Sequence, residues 1–320
     1  MKIGIAGGGA FGTALGVALA LDGNDILLWA RSADAVDHMR KNGANPRLPD
    51  VTLPGNLTAS NDLAPLFECQ IILLAIPAQT LRAFLTTHEP QLDGKFLVAC
   101  CKGIDLTRMT GPASIIRDLV PQATAAMLTG PSFAADIARG LPTALTIACA
   151  DEDVGAILQT ALSTTALRLY RTTDTIGAEL GGALKNVMAI ASGICIGAGY
   201  GESARAAVIT RGFPEMQRLA LTLGAQGDTL AGLSGFGDLV LTCTSDQSRN
   251  YRYGLALGQG TTFDSATTVE GAATAQAVRQ LAEDLKLDMP ICRVVADLTD
   301  GHTDVAAALN ALLSRPLKEE

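Results

Sequence analysis

Residues 1–23, MKIGIAGGGAFGTALGVALALDG, join a short apolar run, a cluster of glycines and an alanine-rich segment that ends in glycine. The run KIGIA (2–6) reads as a strand, and TALGVALALDG carries helical spacing. Between them GGGAFG supplies Gly7, Gly9 and Gly12 as GxGxxG. In such a turn the first glycine permits the bend, the second lets backbone approach a pyrophosphate, and the third packs helix against strand. The helix that follows presents its N–H groups and positive dipole end to the phosphates. A glycine-rich turn with no ligand is the plain alternative; the strand before it and the helix after it favour a dinucleotide site. The lysine and apolar run also resemble a secretory leader, but the dense glycines and the complete strand–turn–helix pattern argue against one.

Outward from this turn, DILLWA (25–30), IILLAI (71–76), FLVACC (96–101), AAML (125–128) and ALTIAC (144–149) repeat the strand signal. They are almost continuously apolar, as strands covered on both faces are. DAVDHMRKNG is a helical segment between them, again closed by glycine. This alternation predicts an α/β Rossmann domain, a doubly wound parallel sheet, over residues 1–173. From residue 174 to 320 long helical patterns take over, among them IGAELGGALKNVMAIASGICIGAG and ARAAVITRGFPEMQRLALTLG. A second, all-helical domain for substrate and catalysis is expected there, with the tail SRPLKEE frayed.

Hydrophobic residues form 48% of the 320 and charged residues 18%, a balance that excludes a disordered chain. With 24 basic and 32 acidic residues the net charge is −8, which argues against nucleic acid and anionic membranes as partners. Seven cysteines without a CxxC suit reduced thiols in a cytoplasmic protein better than disulfides or a metal site. An uninterrupted apolar run of roughly 18 residues is lacking, so no membrane span is expected.

Four further features bear on chemistry. At the end of the second strand, LLWARSADA places Ala30, Arg31 and Ser32 where an acid would clasp a ribose hydroxyl. Arg31 suits a 2′-phosphate there, so NADP should be accepted as well as NAD; a surface arginine is the alternative. Lys102 in CCKGID, and Gly130 and Ser132 in LTGPSFA, follow sheet strands, where open α/β sheets bind ligands. In LSGFGDLVLTCTSDQSRNYRYG, Gly235, Gly237 and Asp238 suggest a tight turn. Ser248, Arg249 and Asn250 offer a hydroxyl, a guanidinium and an amide to an anion, or else a helix-capping serine beside an exposed arginine. Finally, GGALKNVMAIASG sets Lys185 in an apolar helix. A buried ammonium is costly unless paired, and burial lowers a lysine from about 10.4 toward working pH. Snorkelling to solvent is the structural alternative.

Together, GGGAFGTAL, LLWAR, CCKGID, LTGPSFAADIARGLPTA, GGALKNVMAIASG, AAVITRGFPEM, GFGDLVLTCTSDQSRNYRYG and VEGAATA resemble the bacterial NAD(P)-dependent sn-glycerol-3-phosphate dehydrogenases nearly end to end. The resemblance implies interconversion of dihydroxyacetone phosphate and sn-glycerol 3-phosphate for glycerophospholipid synthesis. It implies cofactor contacts at Ala10, Phe11, Arg31, Lys102, Ala134, Arg249, Val269 and Glu270. It implies substrate contacts at Lys102, Gly130, Ser132, Asp238, Ser248, Arg249 and Asn250, with Lys185 as proton acceptor. It also suggests a homodimer. Ser203 stands in GYGESARAAV where the family often has Asn. Two rivals remain at this point: a β-hydroxyacid or ketopantoate-type reductase, and a dinucleotide sensor without chemistry. The cationic Arg249 and Lys102 disfavour the first; Lys185 together with Asp238 disfavours the second.

Overall fold

A computed structural model describes residues 1–106, 108–264 and 267–314. Beyond Ser314 the expected frayed tail lies outside the described residues. The chain divides into two compact units, Met1–Lys102 with Thr110–Glu179, and Gly103–Met109 with Leu180–Glu320.

The first unit opens with β1 (Lys2–Ala6), α1 (Ala10–Leu21), β2 (Asp25–Trp29) and α2 (Ala33–Asn42). A small hairpin of β3 (Ala44–Asn45) and β4 (Leu48–Thr52) leads into β5 (Leu57–Ser60). Then come β6 (Ile71–Leu74), α3 (Ala78–Leu92), β7 (Phe96–Ala99), α4 (Pro112–Leu119) and β8 (Thr124–Thr129). The unit closes with α5 (Ala134–Ala138), β9 (Thr143–Cys149), α6 (Glu152–Leu162) and β10 (Leu167–Thr172).

Eight of these strands form one sheet in the order β10-β9-β8-β7-β6-β1-β2-β5. Ile5 of β1 lies opposite Leu28 of β2 and Leu73 of β6, so the glycine-turn strand is central. Neighbouring residues bury on opposite faces. Ile71 and Leu73 join one apolar cluster and Ile72 and Leu74 the other, which is why these strands read as unbroken apolar runs. The sheet is parallel throughout except between β8 and β9, which run antiparallel. Residues 130–142 connect them through α5, whose five residues rise only about 8 Å, too little to carry the chain back along a strand about 20 Å long, so β9 enters antiparallel.

In the second unit every described element is helical. The helix α7 (Thr175–Gly197) begins in the first unit and continues into the second. It is followed by α8 (Gly201–Thr222), α9 (Gly227–Ala231), a wide π turn at Leu233–Gly237 and α10 (Asp238–Cys243). The rest is α11 (Arg249–Gln259), α12 (Glu270–Asp284), α13 (Pro290–Thr299) and α14 (Val305–Leu313). By length and composition α7 is apolar enough to cross a membrane, with mean hydropathy 1.4, but 83% of that window is buried inside the chain. Protein packing, not lipid, covers it.

Buried carboxylates fasten helix starts in both units. Glu179 accepts the backbone N–H groups of Ala113 and Ser114, at the start of α4. On α8, Glu215 accepts those of Ile291 at 2.9 Å and Cys292 at 3.1 Å, capping α13. Burial pushes the Glu215 carboxyl above its ordinary 4.5, against the downward pull of those N–H groups and Arg218. A carboxyl raised by folding adds stability that is full below its unfolded value and lost as pH rises through its folded one. The wild-type unfolding midpoint in urea should therefore decline from 4.5 upward more steeply than that of Glu215→Gln. Parallel midpoint–pH curves for the two proteins would refute this.

Candidate active site

In the first unit, β1 stops at Ala6 and α1 starts at Ala10, leaving Gly7–Gly9 as the link. Gly7 holds φ +128°, and a Cβ on it would lie 2.5 Å from the Ala75 carbonyl oxygen. A Cβ on Gly12 would lie 2.1 Å from the Gly7 carbonyl oxygen. These two glycines answer to the fold. Gly9 does not: a Cβ there would meet nothing within 4 Å. Open space beside a turn glycine is where a ligand's backbone approach would need it, and α1 has no acidic residue in its first turn. The residues present therefore fit a dinucleotide pyrophosphate, which the first-turn N–H groups, those of Ala10, Phe11 and Gly12 among them, would hold.

Arg31 stands exposed two residues beyond β2, while Ser32 caps α2 by accepting the Ala35 N–H. At the next strand ends, the Lys102 Nζ donates to the Gly130 carbonyl oxygen at 3.2 Å. The Ser132 hydroxyl donates to the same oxygen at 3.3 Å. Positions from two segments of the sequence, CCKGID and LTGPSFA, thus meet at one carbonyl beyond β7 and β8. Gly130 takes φ +134°, with a Cβ position 3.1 Å from Leu145. Ala134 is the first residue of α5. Cys100 is not a competing nucleophile, because burial pushes its thiol up to about 12 despite Lys102 nearby.

In the second unit Lys185 is 8% exposed. Its ammonium donates to the Thr242 Oγ1 at 2.7 Å and lies 3.1 Å from the Asp238 Oδ1. Thr242 in turn donates to Asp238 Oδ1 at 3.2 Å, closing a triangle. Asp238 and Thr242 are four residues apart on α10 and so share its face. The buried pair answers why an apolar helix carries a lysine: its charge is met by a carboxylate that is itself 1% exposed. Such pairs add little net stability against apolar replacements, so this one points toward chemistry. Cys243 beside it is likewise pushed up to about 12 by burial and stays a thiol.

The segment before Asp238 is a π turn, not the tight turn its glycines suggested. α7 carries Gly181 against it, where a Cβ would lie 2.5 Å from the Ser234 carbonyl oxygen. Ser248 caps α11, its Oγ accepting the Tyr251 N–H at 3.2 Å, and Arg249 beside it is exposed. Asn250 is buried and its Oδ1 accepts the Gly271 N–H at 2.9 Å, which ties α11 to the start of α12. Val269 caps α12 and Glu270 is its first residue. The structure thus gives Ser248 and Asn250 local structural work, and groups Asn250, Gly271 and the Asn186 carbonyl in one place. Thr242 was not singled out from the sequence; its only signal is the i+4 spacing from Asp238.

Residues 2–155 match the family described as NAD-dependent glycerol-3-phosphate dehydrogenase N-terminus, and residues 174–310 match its C-terminus. The chain is 59% identical over 320 residues to a glycerol-3-phosphate dehydrogenase (NAD(P)+) of Paracoccus denitrificans (strain Pd 1222), covering 100% of both. It is 57% identical over 321 residues to the enzyme of the same name from Ruegeria sp. (strain TM1040), again covering 100% of both. The crystal structure of glycerol-3-phosphate dehydrogenase from Coxiella burnetii superposes with a TM-score of 0.93 at 36% identity, covering 98% of this chain and 99% of that one. With both units matched and identity this high from end to end, the chain belongs to the NAD(P)-dependent glycerol-3-phosphate dehydrogenase family.

Proposed function

We propose that the chain reduces dihydroxyacetone phosphate to sn-glycerol 3-phosphate, reversibly, with Lys185 moving the proton. The observation that carries this is the buried Lys185–Asp238–Thr242 triangle in a chain of this family. When bound, the nicotinamide cofactor supplies or accepts the hydride. The ketone oxygen gains negative charge as C2 gains hydrogen, and the Lys185 ammonium gives it a proton; in oxidation the neutral amine takes that proton back. Asp238 and Thr242 fix the position of the ammonium through the ion pair and the hydrogen bond they make with it. Arg249, with Ser248 and Asn250, grips the phosphate, and this remote binding energy positions the carbonyl. Lys102, Gly130 and Ser132 are the substrate contacts of the sheet unit, and Lys102 also meets the cofactor. Gly7, Gly9, Ala10, Phe11, Gly12, Arg31, Ala134, Arg249, Val269 and Glu270 are the cofactor set. A cytoplasmic setting is supported by seven cysteines that are all free thiols. The homodimer belongs to this reading on the resemblance alone.

The test is NADPH oxidation with dihydroxyacetone phosphate, ketopantoate or no added substrate. Turnover should require dihydroxyacetone phosphate; turnover with ketopantoate alone would overturn the assignment. In the same assay Arg31→Asp should raise the KM for NADPH about tenfold or more and leave that for NADH within about twofold. One lost charge–phosphate contact accounts for that difference. Equal changes for the two cofactors would remove Arg31 from the 2′-phosphate.

A further inference from the structure

The hairpin β3–β4 interrupts the path from α2 to β5, and its reason lies at Asn45. The pairing of the two strands shifts between Ala44 and Asn45, an irregularity that turns a side chain out of the regular alternation. Leu48 and Val51 of the hairpin join the core cluster that holds Ala14, Leu15 and Ala18 of α1, so the hairpin is clamped to that helix. Asn45 is 1% exposed. Its Nδ2 donates to the Gly8 carbonyl oxygen at 3.1 Å and to the Thr13 Oγ1 at 2.6 Å. Its Oδ1 accepts the Arg47 N–H at 2.9 Å. The amide fits in one sense only. Turned over, it would set oxygen against the Gly8 carbonyl and hydrogens against the Arg47 N–H.

Gly8 is the middle residue of the glycine turn, and Thr13 lies one helical turn into α1, bonded through its N–H to the Gly9 carbonyl at 3.0 Å. One side chain therefore holds both ends of the arch that the pyrophosphate is to occupy. Gly8 can do little for itself: a Cβ there would lie 2.6 Å from Ala30, so no side chain of its own can brace the turn. We propose that Asn45 is a positioning residue for dinucleotide binding, fixing the Gly8 carbonyl relative to Thr13 so that the N–H groups of the arch converge on the pyrophosphate. This rests on the glycine turn being the pyrophosphate site. Preorganised donors of this kind lower the cost of binding without touching the ligand.

The experiment titrates NADPH, ADP-ribose and 2′-AMP against wild type, Asn45→Ala, Thr13→Val and Thr13→Ser. Circular dichroism reports folding, and KM and kcat are measured beside the titrations. ADP-ribose carries the pyrophosphate without nicotinamide, and 2′-AMP lacks the pyrophosphate. Asn45→Ala and Thr13→Val should weaken NADPH and ADP-ribose about tenfold, hold 2′-AMP within about twofold, and raise the KM for NADPH with kcat nearly unchanged. Thr13→Ser, which keeps the hydroxyl, should restore wild-type affinity. Thr13→Val preserves shape and carries the test if Asn45→Ala fails to fold. Folded variants with wild-type affinity for ADP-ribose, or with an equal loss for 2′-AMP, overturn the inference while the function stands. A wild-type protein that binds neither NADPH nor ADP-ribose overturns the reading of the turn itself.

Discussion

Lys185→Ala should lower kcat by about 10²–10⁴-fold while NADPH still binds with near wild-type affinity, because the variant removes the proposed proton donor and leaves the glycine turn untouched. The variant has a second consequence that must be separated from the first. It leaves Asp238, 1% exposed, as a buried carboxylate without its cation. Breaking a buried pair on one side costs about 3–5 kcal/mol. Lys185→Ala/Asp238→Asn should therefore regain much of the stability lost by Lys185→Ala and none of the activity. Lys185→Arg divides the role further. It keeps a cation beside Asp238, but a guanidinium with pKa above about 12 does not surrender its proton at working pH. If charge alone stabilised the developing alkoxide, Lys185→Arg would retain most turnover; if proton transfer is required, it falls with Lys185→Ala. Added methylamine should partly restore Lys185→Ala. A Lys185→Ala protein within about tenfold of wild-type kcat would end the assignment.

What could be read from the sequence follows from how local each signal is. The central strands were legible because both faces bury, so Ile71–Leu74 and Phe96–Ala99 appear as plain apolar runs. The edge strands β5 and β10 were not: β10 alternates buried and exposed residues across LRLYRT, and three of its six residues face solvent. The reversed β9 was hidden too, since its residues make a good strand in either direction and only the shortness of the helix in the connection decides. At the site, Lys185 stood out because charge in an apolar helix demands a partner, whereas Asp238 was read only as part of a glycine turn and from the family resemblance. Thr242 did not stand out, since a threonine in a helix has many ordinary uses. Glu179, Glu215 and Asn45 were invisible for another reason. Glu215 meets Ile291 76 residues away and Asn45 meets Thr13 32 residues away, so no local pattern links donor and acceptor. Ser248 shows the opposite case, where capping and substrate contact give the same three-residue signal.

Gly254→Ala should destabilise the helical unit by about 3 kcal/mol or more and take activity with it. A Cβ at Gly254 of α11 would lie 2.0 Å from the Ile190 carbonyl oxygen of α7. The approach is reciprocal, since a Cβ at Gly193 of α7 would lie 2.1 Å from the Tyr251 carbonyl oxygen. The obstacle in both cases is backbone, which cannot rotate away as a side-chain end can, so the helices must separate. Helix propensity pulls the other way, because alanine is favoured over glycine in a helix interior by about 1 kcal/mol. The steric cost wins by its size. Gly155→Ala in α6 is the control: its Cβ would meet only Cys149 at 3.6 Å, an ordinary contact, so propensity should win and the protein should gain about 0.5–1 kcal/mol. Urea midpoints for the two variants should thus move in opposite directions. The activity loss follows from position. α7 carries Lys185, and α11 begins with Arg249 and Asn250, whose amide holds the start of α12. Separating the helices would move Arg249 and Asn250, the proposed phosphate grip, away from Lys185, and misplacement by about 1 Å can cost roughly 10²-fold in rate. Gly254→Ala with wild-type stability would mean that α7 and α11 do not pack backbone to backbone, and the placement of Asn250 relative to Lys185 would fall with it.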